Sequence, residues 1–166
     1  MVLNTELLAR SAGPNRRRFC LVEIESIDDL QWLEPRSQHF GLMTAIGLVG
    51  VSEKTLQNAA DLLVHRGLAY LNAWGTDCER WHDIVDRADV DHLTALGVYP
   101  NGDWDPIMTT WHEGESLEDA VWDFRYTGIA SGHYEQDCSD GIIAATRRYL
   151  DHAQQGFHLA GRGHSR

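Results

Sequence analysis

Leu68-Ala69-Tyr70-Leu71-Asn72-Ala73-Trp74-Gly75-Thr76-Asp77-Cys78-Glu79-Arg80-Trp81-His82-Asp83 runs from an apolar, strand-like segment through a single glycine into a helix. Thr76 and Glu79 have the spacing of a capping box, which predicts a helix start at this point. Cys78, Trp81, Ile84, Val85 and Ala88 then make the inner face of that helix. The pattern recurs downstream. Pro106-Ile107-Met108-Thr109-Thr110-Trp111 reads as a strand, with its proline tolerated at the first position. Ser116 follows as a helix start, with Leu117, Ala120, Val121 and Phe124 at i, i+3, i+4 and i+7.

Working outward, Ser52 opens a helix with Leu56, Ala59, Ala60 and Leu63 on one face, and Gly67 is placed to stop it. Phe19 to Glu25 reads as the first strand, Gly141 to Thr146 as a fourth, and Arg147 to Gln155 as a closing helix. Ser26 to Gly50 has no single period and reads as an irregular excursion or short helix; Asp89 to Trp104 reads as a loop. Strands alternating with helices predict an α/β fold, a small three-layer α/β/α sandwich whose mostly parallel sheet has about four strands, Rossmann-like or flavodoxin-like. The 166 residues form one expected domain, 1–166, with 1–17 and 156–166 as flexible ends.

Composition narrows the function classes. The longest apolar stretch, Leu42 to Val51, is far shorter than the roughly 20 residues that span a bilayer, so no membrane role is expected. The residues before Arg16-Arg17-Arg18 hold no apolar h-region with a small-residue cleavage site, so secretion is not expected and the cytoplasm is the expected compartment. Cys20, Cys78 and Cys138 make no even framework, so reduced thiols are expected. A formal charge of −11 repels a phosphate backbone, which argues against nucleic acid and favours a basic protein partner. Oligomeric state is open.

Parallel α/β proteins keep their sites where strands turn into helices, and both turns here are rich in reactive side chains. Cys78 sits at a helix start, where a thiolate is favoured, yet it shares spacing with the buried Trp81 and Val85. Cys78 and His82 are four apart, so with His112 they make a possible three-ligand zinc site; no cofactor is favoured, and zinc is the alternative. Nine histidines make a chance match easy, and His82 and His112 also suit bonds to neighbouring carboxylates. Asp77, Asp83, Asp86, Glu113 and Glu115 form an acidic rim, while Trp74, Trp81, Trp111 and Trp122 suit an aromatic pocket or plain core filling. No G-x-G-x-x-G, Walker A or G-x-S-x-G occurs.

Trp74-Gly75-x-Asp77-Cys78-Glu79-x-x-His82-Asp83 with Asp86, and Thr109-Thr110-Trp111-His112-Glu113-x-Glu115-Ser116-Leu117-x-x-Ala120-x-Trp122, resemble a family of small bacterial proteins designated a domain of unknown function. The resemblance covers Leu68 to Phe124, with a weaker similarity at Asp140 to Ala144; Ser26 to Val51 and the C-terminal tail fall outside it. It supports the position of the site and implies no activity.

Three readings result. The first is a non-enzymatic acidic interaction module, such as an immunity, antitoxin or regulatory protein. Its partner would meet helix faces around Asp83, Asp86, Glu118 and Asp119, and His82 and His112 would act as clips bonded to carboxylates. The second is a hydrolase or lyase using Cys78, His82 and His112 as metal ligands or as a thiolate with its base, with Glu113 as acid-base. The third is a small-ligand sensor at a tryptophan-lined crevice, with Trp74 and Trp111 among its binding residues.

Overall fold

His39-Phe40-Gly41-Leu42-Met43-Thr44-Ala45 lacks polar–apolar alternation because neither face of the strand it forms meets solvent. In the computed structural model, which describes residues 3–10, 17–100, 102, 104–128, 130, 132–134 and 137–160, this segment is a central strand. The strands are β1 (Thr5–Arg10), β2 (Arg18–Ile24), β3 (His39–Ala45), β4 (Leu68–Trp74), β5 (Met108–His112) and β6 (Cys138–Thr146). The helices are α1 (Glu53–His65), α2 (Cys78–Ala95), α3 (Leu117–Tyr126) and α4 (Arg147–Ala160). Short 3-10 turns lie at Ile27–Trp32 and Gly132–Tyr134.

The six strands form one sheet in the order β1-β2-β6-β3-β4-β5, parallel throughout except for the antiparallel β1–β2 pair. The fold is mixed α/β, as the sequence predicts, but with six strands instead of about four. The additions are β3, hidden in the sequence by its lack of period, and β1, which precedes the first expected strand. Residues 1, 2, 11–16 and 161–166, which include parts of the two ends expected to be flexible, lie outside the described residues.

Consecutive residues on a strand face opposite sides, which divides the core in two. Val22, Ile24, Leu42, Leu71 and Ile142 pack with Leu56 and Leu63 of α1 and Trp81 and Val85 of α2. Phe19, Leu21, Met43, Tyr70 and Ile143 pack with Val121 and Phe124 of α3 and Phe157 of α4.

Several boundaries differ from expectation: β5 runs Met108–His112 and leaves the expected first residue Pro106 outside the strand, and β6 begins at Cys138 instead of Gly141. α2 extends to Ala95 through the segment read as a loop, because Leu93 continues its buried stripe and the buried Asp89 accepts from the Ile107 backbone N–H at 3.0 Å. The Thr76–Glu79 capping box does not form: α2 starts at Cys78 behind Asp77, whose φ of 67° is left-handed and whose side chain makes no cap bond. Gly75 explains the shift, since a Cβ there would lie 2.2 Å from the Ile46 carbonyl oxygen. The close approach ties the turn after β4 to the segment leaving β3 and sets the helix entry. α4 runs past Gln155 to Ala160, carried by the inward Ala153 and Phe157. The Ser52 and Ser116 starts form as predicted, accepting from Thr55 and Asp119 N–H groups at 3.1 Å.

Asp140 pins the opposite end of the sheet. It is 3% exposed on β6, pairs with Arg18 of β2 at 2.9 Å, and accepts from the backbone N–H groups of Arg36 and Ser37 ahead of β3. Burial pushes its carboxyl up, but Arg18 and the two N–H groups outweigh that and hold it below the usual carboxylate range.

Candidate functional site at the ends of β4 and β5

β4 and β5 pair in register as Tyr70↔Met108, Asn72↔Thr110, Ala73↔Trp111 and Trp74↔His112. Partners in a parallel pair share a face, so Asn72, Thr110 and His112 look toward α3 while Trp111 looks toward α2. The two signature stretches are therefore split between opposite faces of one sheet.

On the α3 face a polar cluster replaces apolar packing. His112 Nδ1 lies 2.8 Å from Glu115 Oε2, and its Nε2 lies 2.9 Å from Asn72 Nδ2 and 3.3 Å from Asp123 Oδ2. Asn72 Nδ2 also donates to Asp123 Oδ2 at 3.1 Å, and the Tyr70 hydroxyl donates to the same oxygen at 3.2 Å. With the neutral ring protonated at Nδ1, His112 donates to Glu115 and its Nε2 accepts from Asn72, while Asp123 Oδ2 is served by the Asn72 amide and the Tyr70 hydroxyl and not by the imidazole. Burial and the Asp123 charge raise the Tyr70 phenol to about 12, so it stays a donor. Trp74 Nε1 completes the face by donating to the Glu115 carbonyl at 2.9 Å.

On the α2 face, the His82 ring packs on the Trp111 ring with centroids 4.5 Å apart. Its Nδ1 lies 3.1 Å from Asp83 and its Nε2 3.5 Å from Asp86, which also accepts from Thr109 Oγ1 at 2.6 Å. Asp77 pairs with Arg80 at 2.8 Å, and Glu113 accepts from the Asp77 N–H at 3.4 Å.

The structure thus keeps both histidines among neighbouring carboxylates and separates them by the sheet. Cys78, His82 and His112 do not converge, and among the described residues no group of three or more His, Cys, Asp or Glu side chains is arranged around a metal position. The tryptophans do not share a crevice: Trp81 is fully buried, Trp74 and Trp111 point to opposite faces, and Trp122 is exposed beside Tyr126. Asp86 meets Thr109 of β5, Glu113 meets the Asp77 N–H, Glu115 meets His112 at the end of β5, and Asp83 lies beside His82. Glu118 and Asp119 lie in the first turn of α3.

Sequence reasoning missed Tyr70, Asn72 and Asp123. The signal was available in Asn72, an amide in an otherwise apolar strand, because a buried amide needs partners and points to a polar neighbour across the sheet.

Cys78 is wholly buried, and burial pushes its thiol up despite hydrogen bonding at the His112 backbone. Cys20 and Cys138 are also buried, with thiols raised by burial. Thiol-labelling of the native protein at pH 7.5 is accordingly expected to be negligible over an hour and to reach all three cysteines in denaturant. Rapid native labelling of Cys78, lost in Cys78→Ser, would contradict this.

A mostly parallel six-stranded sheet with four helices defines an α/β protein. The chain belongs to the family described as Domain of unknown function (DUF7684), which matches residues 19–148. The match includes residues 26–51, which the resemblance read from sequence had left out. Comparison with curated proteins finds no match. No helix among the described residues is long and apolar enough to cross a membrane.

Proposed function

We propose that this protein is a non-enzymatic, acidic interaction module of the cytoplasm, of the immunity, antitoxin or regulatory kind, built as a three-layer α/β/α sandwich. Its partner is a basic protein that docks on the outer edge of β5. The observation that carries this reading is the character of that edge. β5 is the last strand of the sheet, Met108 and Trp111 on it are 41% and 45% exposed, and Asp83, Asp86, Glu113 and Glu115 stand around it. Among the described residues no strand pairs with this outer edge, and such an edge offers backbone donors and acceptors to an added strand. Lysine or arginine side chains on that strand would meet the carboxylates and stack on Trp111. The net charge of −11 would steer such a partner from a distance. The bonded states of His82 and His112 support clips that shape the edge, and the buried Cys78 supports packing over nucleophilic chemistry.

The test is titration of the full chain with an alternating Lys-Val decapeptide, read by tryptophan fluorescence and calorimetry. Binding is expected to weaken at least about tenfold as salt rises from roughly 0.05 to 0.5 M. Trp111→Ala and the pair Asp83→Asn with Asp86→Asn should each weaken it by a similar factor. Equal affinity for a Glu-Val decapeptide, or binding indifferent to both salt and the variants, would reject the proposal.

A further inference from the structure

The chain leaves β3 toward α1 on one face of the sheet, and leaves the neighbouring β6 toward α4 on the other. Adjacent parallel strands whose connections part in this way leave a crevice beyond their carboxyl ends, the place where open α/β sheets take ligands. Here that crevice is a cleft of about 550 Å³, a size typical of small-molecule sites. Ile46 and Gly47 leaving β3, Thr146 ending β6 and Ser26 following β2 wall it, with Val51 and Tyr149 supplying apolar surface.

Its charges are arranged in a particular way. Glu25 and Asp28 line it from the β2 side and Arg148 from α4, and none of the three forms an ion pair with a described residue. The Arg148 guanidinium instead lies 5.3 Å over the Tyr149 ring. Charges of both signs line one cleft without neutralising each other. The start of α1 borders the cleft through Ser52 and Thr55, where Ser52 Oγ accepts from the Thr55 N–H.

We infer that this cleft binds a small zwitterion of the α-amino-acid class, with the ammonium toward Glu25 and Asp28 and the carboxylate toward Arg148. A phosphate would meet two carboxylates, and a diamine would meet the guanidinium. Only a molecule with both charges complements both sides. Its side chain would rest on Val51, Ile46 and Tyr149. This site is separate from the β5 edge and does not depend on the function proposed there.

Calorimetric titration of the full chain with L-leucine, L-phenylalanine, L-lysine and L-glutamate, each beside its N-acetyl and carboxamide forms, tests the inference. At least one free amino acid should bind saturably, and blocking either end should weaken it at least about tenfold. Arg148→Ala and Asp28→Asn should each do the same. Gly47→Phe should abolish binding without unfolding the chain, because a Cβ at Gly47 meets nothing within 4 Å. An unchanged melting temperature for that variant verifies the fold. Failure of all four amino acids to saturate, equal binding of the blocked forms, or wild-type binding by Gly47→Phe would overturn the site. Trp111→Ala should retain amino-acid binding while weakening that of the basic peptide, and Gly47→Phe should lose amino-acid binding while keeping that of the peptide, so each proposal can fail alone.

Discussion

Asp140→Asn should lower the unfolding free energy by about 3 kcal/mol, because it strips a mostly buried ion pair of one partner and leaves the other charge uncompensated. The Arg18 side chain is 18% exposed and the Asp140 side chain 3%, so the abandoned guanidinium has little water to turn to. The backbone N–H groups of Arg36 and Ser37 lose a charged acceptor as well. Because the folded carboxyl titrates below its unfolded value of about 3.9, its contribution is complete above that pH and disappears as pH falls through the folded pKa. Denaturant melts should therefore separate wild type from Asp140→Asn by a constant amount between pH 5 and 7, and the gap should close below about pH 4. A gap that persists unchanged at pH 2 would mean that shape, and not charge, is the cause. The double variant Arg18→Met with Asp140→Leu should recover much of the loss, since it removes both charges together. The pair joins the starts of β2 and β6 to the segment entering β3, so it sets the register that brings Ile24, Thr146 and Ala45 to one edge.

His112→Ala is the second large effect, expected to cost about 1–3 kcal/mol. The substitution removes the imidazole from between Glu115, Asn72 and Asp123, and the wholly buried Asn72 amide loses a partner while its Oδ1 has none among the described residues. A buried polar group left unmatched costs more than the bond itself was worth. Trp111→Ala, on the other face and 45% exposed, should change stability by less than about 1 kcal/mol while weakening peptide binding. The contrast separates a clip from a contact residue. If His112→Ala melts like wild type, the α3-face cluster does not hold α3 on β4, and the clip reading of this histidine fails.

Most of the helices were legible because their apolar stripes and serine starts are local features. Ser52 and Ser116 announce α1 and α3, and the strand β4 is visible as an apolar run before Gly75. The two signature stretches also located the carboxyl ends of β4 and β5 as neighbours. What escaped was long-range. β3 has no alternation because both its faces are covered by distant helices, and the cap at Asp77 depends on a backbone contact between Gly75 and Ile46 that lies far off in sequence.

The sequence by itself determined the α/β alternation, the acidic charge and the residue types gathered at the two strand-to-helix turns, since period, composition and capping act over a few residues. Tertiary structure alone decided which face each of those residues takes. Period-two geometry in register sends His112 to α3 and Trp111 to α2, so neighbours in the chain do not become partners in a site. It also decided that β6, nearly last in the chain, inserts between β2 and β3. That insertion creates the cleft at Gly47 and Arg148, from segments more than a hundred residues apart whose meeting no local pattern records.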